Sequence, residues 1–144
     1  CERCFHFSDQ ALCSVCSNPR RQHETVCVVA DPRALMAIAQ TGRYTGVYHV
    51  LGGLIAPLEG VQPEQLRIEE LMARVEAGAV KEVVLALNST HEGETTAFYL
   101  SRRLSNTPVT LSTLARGVAV GAELEYADEL TLGRSIADRV PFKG

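Results

Sequence analysis

Residues 81–104 have the sequence KEVVLALNSTHEGETTAFYLSRRL, an apolar run, a polar break and then an amphipathic segment. The apolar run, residues 82–87, is too short for a buried helix and rich in β-branched residues, so it predicts an interior strand of a parallel sheet. The apolar positions Ala97, Leu100 and Leu104 then recur at helical spacing. A strand followed directly by a helix is the repeating unit of an α/β fold.

The turn between this strand and this helix carries two carboxylates. Thr90 or His91 precedes the helix as its cap, and Glu92 and Glu94 lie near the positive end of the helix, where acidic side chains are favoured. Ligands and partners of open α/β sheets bind at the carboxyl ends of the strands. Glu92 and Glu94 are therefore candidates for a functional site, although acidic first turns also occur for their interaction with the helix dipole alone.

Length and charge limit the classes of function. The chain has 144 residues, enough for one packed domain and a small appendage. Without an apolar stretch of roughly 20 residues or a secretory leader, we expect no membrane role. The sequence begins at Cys1 and not at Met, so we expect a fragment of a longer chain. The net charge of −3 argues against a surface that contacts phosphates throughout, so any nucleic-acid contact is expected to be local or to come from a missing part.

Four cysteines near the start of the chain have the spacing of a metal site. Cys1 and Cys4, followed by Cys13 and Cys16, form a C-x2-C-x8-C-x2-C pattern. Each pair presents two thiolates from one tight turn, and two such turns build the tetrahedral sulfur cage that Zn²⁺ prefers. Because four protein sulfurs leave no open position for water or substrate, the pattern predicts a structural zinc ion.

Other uses of the four thiols stay open on the sequence alone. Two disulfides, four buried thiols, a redox pair or an iron–sulfur cluster would also fit this set of cysteines. His6 and His23 are alternative ligands, but four cysteines already complete a zinc site, so exposed histidines are the simpler interpretation. Cys27 belongs to neither pair and is expected to be a buried structural thiol.

The rest of the chain alternates predicted strands and helices. The predicted strands are residues 25–29, 47–51, 82–87 and 109–111, and the predicted helices are residues 32–39, 68–75, 92–104 and 128–137. Asp31 is expected to cap the first helix, with Pro32 at its first position. The alternation predicts a parallel sheet of about four strands with helices on both faces and right-handed crossovers.

The connecting segments divide the chain into modules. Residues 18–23 form a polar link in which Arg20 and Arg21 are more simply solvated than bound to phosphate. Residues 54–63 predict an ordered loop of a length typical of functional loops. No phosphate-binding fingerprint follows a strand, so the glycine-bounded residues 116–121 are interpreted as a turn.

In combination, these motifs resemble the RecR recombination-mediator proteins of bacteria. The resemblance covers essentially the whole chain, in order and with matching gaps, and it is carried by the four-cysteine knuckle and by residues 26–29, 42–51, 90–96 and 116–125. It implies a small Cys4 zinc finger with linker at residues 1–22 and a Toprim domain with a C-terminal helix and tail at residues 23–144. It also implies a helix-hairpin-helix DNA-binding region upstream, which this chain lacks.

The resemblance implies a non-enzymatic DNA repair mediator in the bacterial cytoplasm, associated with the nucleoid. Such proteins form ring-like oligomers, here expected as dimers or tetramers, that encircle DNA. They bind RecO, and in many bacteria RecF, and promote recombinase loading onto single strands coated by single-strand-binding protein. Glu92 and Glu94 would form the partner-facing acidic turn. Contacts with DNA would come mainly from the upstream region, and the resemblance points to no particular DNA-binding residue here.

Two departures from catalytic Toprim domains argue against phosphodiester chemistry. Ala30 stands where a glutamate usually follows the first strand, and residues 86–88 are Ala-Leu-Asn where a D-x-D pair holds Mg²⁺. Asp31 is adjacent, but its capping role already explains it. A further departure, Ala119 and Ala122 in place of Pro and Gly, is expected to alter loop stiffness more than function.

Two rival functions remain on the sequence alone. A Mg²⁺-dependent Toprim nuclease or primase fragment would use Glu92, Glu94 and Asp31, and metal-dependent cleavage or primer synthesis would identify it. A free-standing zinc-ribbon nucleic-acid binder is the other, and the net charge of −3 does not favour it.

Overall fold

The computed structural model describes residues 1–115 and 129–141. Within them the chain alternates strands and helices as predicted. The elements are β1 (Gln22–Val29), α1 (Pro32–Gln40), β2 (Gly46–Val50), α2 (Ile68–Glu76), β3 (Glu82–Leu85), α3 (His91–Arg103), β4 (Thr110–Thr113) and α4 (Glu129–Ala137). Two single-turn 3₁₀ helices, Pro57–Glu59 and Pro63–Gln65, lie between β2 and α2.

The four strands form one parallel sheet in the order β2-β1-β3-β4. This order confirms the predicted interior position of β3, which lies between β1 and β4. β1 begins three residues earlier than predicted because Gln22 also pairs with Gly46, across an irregularity in the register. β3 ends at Leu85, two residues earlier than predicted, where its ladder with β4 ends.

Helices cover both faces of the sheet, as predicted. Because successive strand residues point to opposite faces, Val26 and Val28 pack on one side of β1, and Cys27 and Val29 pack on the other. The first side is covered by α2 and α3, and the second by α1. The larger core, on the side of α2 and α3, includes Leu51, Ile68, Leu71, Val75, Val83, Leu85, Leu100 and Leu104.

The helix caps explain where the helices begin. The backbone N–H of Ala34 donates to Asp31 Oδ1 at 3.0 Å, and Pro32 is the first residue of α1, so the predicted cap is confirmed. At α3 the N–H of Gly93 donates to Thr90 Oγ1 at 3.1 Å. Of the two candidate residues for the cap of α3, the structure therefore selects Thr90.

The connection between β2 and α2 is ordered, as predicted for residues 54–63. Ala56 and Val61 face each other and exchange two backbone hydrogen bonds, each 3.0 Å long. Gly60 has a φ of 81°, in the left-handed region that favours glycine, and it ends the 3₁₀ turn between them. The result is a short loop closed by its own backbone.

The chain divides into two compact units, Cys1–Thr113 and Leu114–Gly144. The first holds the four cysteines near the start of the chain and the sheet, and the second holds α4, which begins within one residue of the predicted start. The predicted turn at residues 116–121, with Ala119 and Ala122, lies outside the described residues. The division at residue 22 remains a prediction. None of the described helices is both long and apolar enough to span a bilayer.

Candidate metal centre and acidic turn

The four cysteines of the C-x2-C pairs come together in space. The ligand atoms of Cys1, Cys4, Cys13 and Cys16 all lie within 4.8 Å of one another. The Sγ atoms of Cys4 and Cys13 are 3.6 Å apart, and tetrahedral zinc with Zn–S bonds of about 2.3 Å spaces its sulfurs by about 3.8 Å. The donor set therefore fits a closed, structural zinc site, as predicted.

Backbone N–H groups point at three of the sulfurs. Cys4 N–H donates to Cys1 Sγ at 3.5 Å, His6 N–H to Cys4 Sγ at 3.5 Å, and Cys16 N–H to Cys13 Sγ at 3.4 Å. Such bonds favour the thiolate, which is the form that binds metal. A hydrogen bond from the Cys16 thiol further lowers the pKa of Cys4 to about 5 and raises the pKa of Cys16 itself.

The two histidines considered as alternative ligands are half-buried, so the expectation that both are exposed was wrong. His6 lies beside the site but contacts Cys4 Sγ through its backbone N–H, and His23 Nε2 is 2.8 Å from the Asn18 carbonyl oxygen. Within residues 1–115 and 129–141 the four cysteines are the only group of three or more side chains that could hold a metal ion. The 3.6 Å between Cys4 and Cys13 also exceeds the length of a disulfide, about 2.05 Å. Cys27 is buried in β1, and this burial raises the pKa of its thiol to about 12, which confirms a structural thiol.

The zinc finger packs directly on the edge strand β2. Val50 N–H donates to the Cys4 carbonyl oxygen at 2.7 Å. The Phe5 ring meets the His49 ring edge-on, with 5.6 Å between the ring centres, and the Arg67 guanidinium lies 4.7 Å from the centre of the Phe5 ring. These contacts hold the zinc finger against the edge of the sheet.

Arg74 joins the finger to the same strand. Its Nη1 donates to the Tyr48 carbonyl oxygen at 2.8 Å and to the Arg3 carbonyl oxygen at 3.3 Å. The same nitrogen lies 3.4 Å from His49 Nδ1. One guanidinium on α2 thus contacts β2 and the first metal-binding turn, a role that sequence reasoning missed because the partners are distant along the chain.

His49 is fully buried and uncharged. Its Nε2 lies 2.7 Å from the Arg67 carbonyl oxygen, which only accepts, so Nε2 carries the proton and Nδ1 accepts from Arg74. Burial lowers the pKa of His49 to about 4, and the charge of Arg74 lowers it further, while Glu70 opposes the shift. Protonation of His49 would place a second positive charge beside Arg74.

The depressed pKa of His49 predicts a pH-dependent stability. The unfolded chain takes up a proton on this residue below pH 6.5 and the folded chain only near pH 4, so the contribution of His49 is complete above 6.5 and is lost between 6.5 and 4. The loss amounts to about 3 kcal/mol over this window. His49→Gln keeps an N–H donor and removes the titration. We therefore expect the difference in unfolding free energy between wild type and His49→Gln to fall by that amount from pH 7.5 to 4.

Urea unfolding at matched zinc content would measure this difference at each pH. Zinc release at acidic pH affects wild type and variant alike, so it cancels in the comparison. His91→Gln, at an exposed position, is the matched control and should follow wild type. Parallel stability curves for wild type and His49→Gln would contradict the prediction.

The link after the finger is more ordered than the sequence suggests. Arg20 is exposed, as expected, but Arg21 Nε donates to the Gly46 carbonyl oxygen at 2.9 Å and its guanidinium lies 6.0 Å from the centre of the Tyr44 ring. The interpretation of Arg21 as a solvated residue was wrong, since β1 extends back to Gln22 and brings Arg21 against β2.

Glu92 and Glu94 are exposed in the first turn of α3, at the carboxyl end of β3. Between them, Gly93 is buried against the turn that follows the strand. A Cβ on Gly93 would overlap the Asn88 carbonyl oxygen, so only glycine allows α3 to begin this close to the sheet. The signal missed in the sequence was a glycine between two carboxylates at the start of a helix.

Thr96 ties this turn to the loop after β2. Its side chain is fully buried, and its Oγ1 accepts from Ile55 N–H at 2.9 Å and donates to the Glu92 carbonyl oxygen at 2.8 Å. No sequence pattern predicts such a link from a single threonine on the inner face of a helix. The acidic turn and the loop are therefore fixed relative to each other.

The carboxylates do not assemble into a second metal site in the part of the chain that is described. Asp31 caps α1 and lies 3.8 Å from Arg33 Nη2, and it does not join Glu92 and Glu94 in a metal-binding group. Ala30, at the end of β1, offers no ligand. This arrangement does not support the Mg²⁺-dependent nuclease or primase that was considered from the sequence.

Three protein-family models match successive segments of the chain. Residues 1–18 match the RecR Cys4-zinc finger domain, residues 24–115 match the Toprim domain, and residues 117–140 match the RecR C-terminal family. The three matches together span the finger, the sheet except for the first two residues of β1, and the segment that contains α4. The Cys4 match agrees with the sulfur geometry described above.

Curated relatives match over nearly the whole chain. Proteins named recombination protein RecR from Flavobacterium johnsoniae and Phocaeicola vulgatus are each 54% identical to it, over 99% and 100% of this chain. The one from Porphyromonas gingivalis is 50% identical over 99% of the chain. The chain covers 69% to 70% of the length of these three relatives.

Proposed function

This chain belongs to the RecR family of recombination proteins, and we propose that it is a non-enzymatic mediator that binds a partner protein through its acidic turn. The role in recombination and repair comes with the family, whose finger, Toprim and C-terminal segments all match in order. The zinc ion is structural, held by the finger that leads into the sheet.

The proposed partner is a RecO-type protein, with RecF as a second partner. Together they would promote recombinase loading onto single-stranded DNA coated by single-strand-binding protein, in the cytoplasm at the nucleoid. The chain would act within a ring-like dimer or tetramer around DNA. The DNA contacts would come mainly from sequence upstream of Cys1.

This proposal rests on which residues lie at the carboxyl edge of the sheet. Glu92 and Glu94 are exposed there on a helix start that is fixed by Gly93 packing. The positions expected to hold catalytic metal carry Ala30, Ala86 and Asn88 instead. An exposed pair of carboxylates on a fixed helix start suits electrostatic recognition of another protein better than phosphodiester chemistry.

The finger would support this surface indirectly. Its Cys4 carbonyl bonds to β2, and Arg74 on α2 bonds to both β2 and the finger. We therefore propose that the zinc finger fixes the junction between the sheet and the upstream DNA-binding region. In this role the zinc ion holds geometry and takes no part in a reaction.

Charge reversal in the acidic turn should weaken partner binding. In titrations of the full-length, zinc-loaded protein with its RecO-type partner, we expect Glu92→Lys and Glu94→Lys each to raise Kd by about tenfold or more. The effect should be largest at low salt, because exposed charges are screened as salt increases. The unfolding free energy should change by less than about 1 kcal/mol, since both residues are on the surface.

Glu76→Lys provides the matched control. This residue is exposed at the far end of α2, so the same change of charge is made away from the carboxyl edge. Its Kd should stay within about twofold of wild type. If all three variants bind the partner as wild type does, the acidic turn is an ordinary helix start and this docking site is excluded.

A further inference from the structure

Leu58 is fully exposed at the tip of the closed loop between β2 and α2. Single exposed leucines are common on protein surfaces, but here hydrogen bonds fix the backbone that carries the side chain. We call residues 56–61 the Leu58 loop. Ala56 and Val61 close it with two mutual hydrogen bonds, and Glu59 N–H donates back to the Ala56 carbonyl oxygen at 3.0 Å.

This rigidity matters for recognition. A flexible loop loses backbone conformational entropy when it binds, whereas a closed loop has already lost most of it. Pro57, which precedes Leu58, further restricts the backbone of the loop. The Leu58 loop thus presents an apolar side chain in a form prepared for a partner.

The loop also lies close to the acidic turn. Ile55, directly before the loop, is hydrogen-bonded to Thr96, one helical turn after Glu92. The Cα atoms of Ile55 and Leu58 are at most about 11 Å apart, because three peptide units separate them. The Cα atoms of Glu92 and Thr96 are about 6 Å apart along the helix axis. A standard interface of roughly 800 Å² per partner is about 30 Å across, so one partner can cover both features.

We propose that Leu58 is the apolar anchor of the partner surface to which Glu92 and Glu94 belong. The occupant is a basic protein surface with an apolar recess, because the exposed residues within this span include the carboxylates of Glu59, next to Leu58, and of Glu92 and Glu94 in the acidic turn. The leucine fills the recess and slows dissociation, while the carboxylates orient the approaching partner. This inference rests on the proposed function and adds a residue that the acidic turn alone does not supply.

Partner binding by Leu58→Ser in the full-length, zinc-loaded protein tests the inference. With the RecO-type protein of the same organism as the probe, we expect Kd to rise about thirtyfold, chiefly through faster dissociation. The salt dependence of binding should stay as in wild type, unlike that of Glu92→Lys. Met36→Ser, at an exposed apolar residue on α1 and the opposite face of the sheet, is the matched control and should bind as wild type.

The outcomes separate this inference from the proposed function. If Leu58→Ser binds normally while Glu92→Lys does not, the anchor is excluded and the acidic docking site stands. If Leu58→Ser binds weakly while Glu92→Lys binds normally, Leu58 contacts the partner, but the acidic docking site and the basic occupant inferred here are excluded. Normal binding by both variants excludes the anchor and the docking site together. If Leu58→Ser instead changes the sedimentation of the protein alone, Leu58 contacts a second copy of the chain and the inference is overturned.

Discussion

Replacement of Cys4 by alanine is expected to remove the zinc ion and unfold the finger. Structural Zn²⁺ binds isolated finger peptides with a free energy on the order of 10 kcal/mol, much of which folds the finger itself. We expect the unit Cys1–Thr113 to lose about 5 kcal/mol of its unfolding free energy and roughly 15 °C of melting temperature. The sheet should remain folded, because its main core contains none of the four ligands. Metal analysis and thermal unfolding by circular dichroism measure both effects.

Cys27→Ala is the control for the chemistry of the substitution. Cys27 is as buried as Cys4 but lies in β1 and outside the metal group. It should keep one zinc per chain and lose only the stability expected for a small change in the core. A Cys4→Ala protein that lacks zinc yet melts like wild type would show that the finger contributes nothing to the fold.

Gly93→Ala is expected to be the most damaging single change in the sheet domain. The added Cβ would meet the Asn88 backbone carbonyl, which cannot rotate away as a side chain would. The first turn of α3 must then move off the sheet, at a cost of about 4 kcal/mol in unfolding free energy. Because Glu92 and Glu94 flank this glycine, partner binding should weaken as well. Urea unfolding and the partner titration report the two losses separately.

Gly133→Ala is the comparison for this variant. Gly133 is also a helical glycine, in α4, but a Cβ there meets no atom within 4 Å. Alanine favours helix by up to about 1 kcal/mol over glycine, so this change should be neutral or stabilising. Equal effects of the two substitutions would mean that close packing against Asn88 does not limit residue 93.

The parts of the fold that follow from local sequence were predictable. The apolar run of β3, the Asp31 cap with Pro32 and the spacing of Leu100 in α3 and Leu104 at its C-cap each depend on a few neighbouring residues. The four cysteines were equally clear, because zinc coordination requires both the residue type and the spacing. Which strands are neighbours could not be predicted, because local patterns do not specify the order β2-β1-β3-β4.

The residues that join distant segments were missed because no local sequence pattern marks them. Thr96 reaches Ile55, 41 positions away in sequence, and Arg74 reaches Arg3, 71 positions away. His49 is buried between the finger and α2, where the histidine itself gives no sign of its partners. Such contacts depend on how separate elements pack, so periodicity along the chain carries no information about them.

The bond from Val50 to Cys4 has a consequence for self-association of the sheet. β2 is an edge strand, and its outward groups are occupied because Val50 N–H bonds to the finger and the Tyr48 carbonyl accepts from Arg74. An unprotected edge strand with apolar side chains recruits strands from other molecules. Release of the metal would free the Val50 end of this edge, so zinc-depleted protein is expected to aggregate through β2 before the sheet itself unfolds.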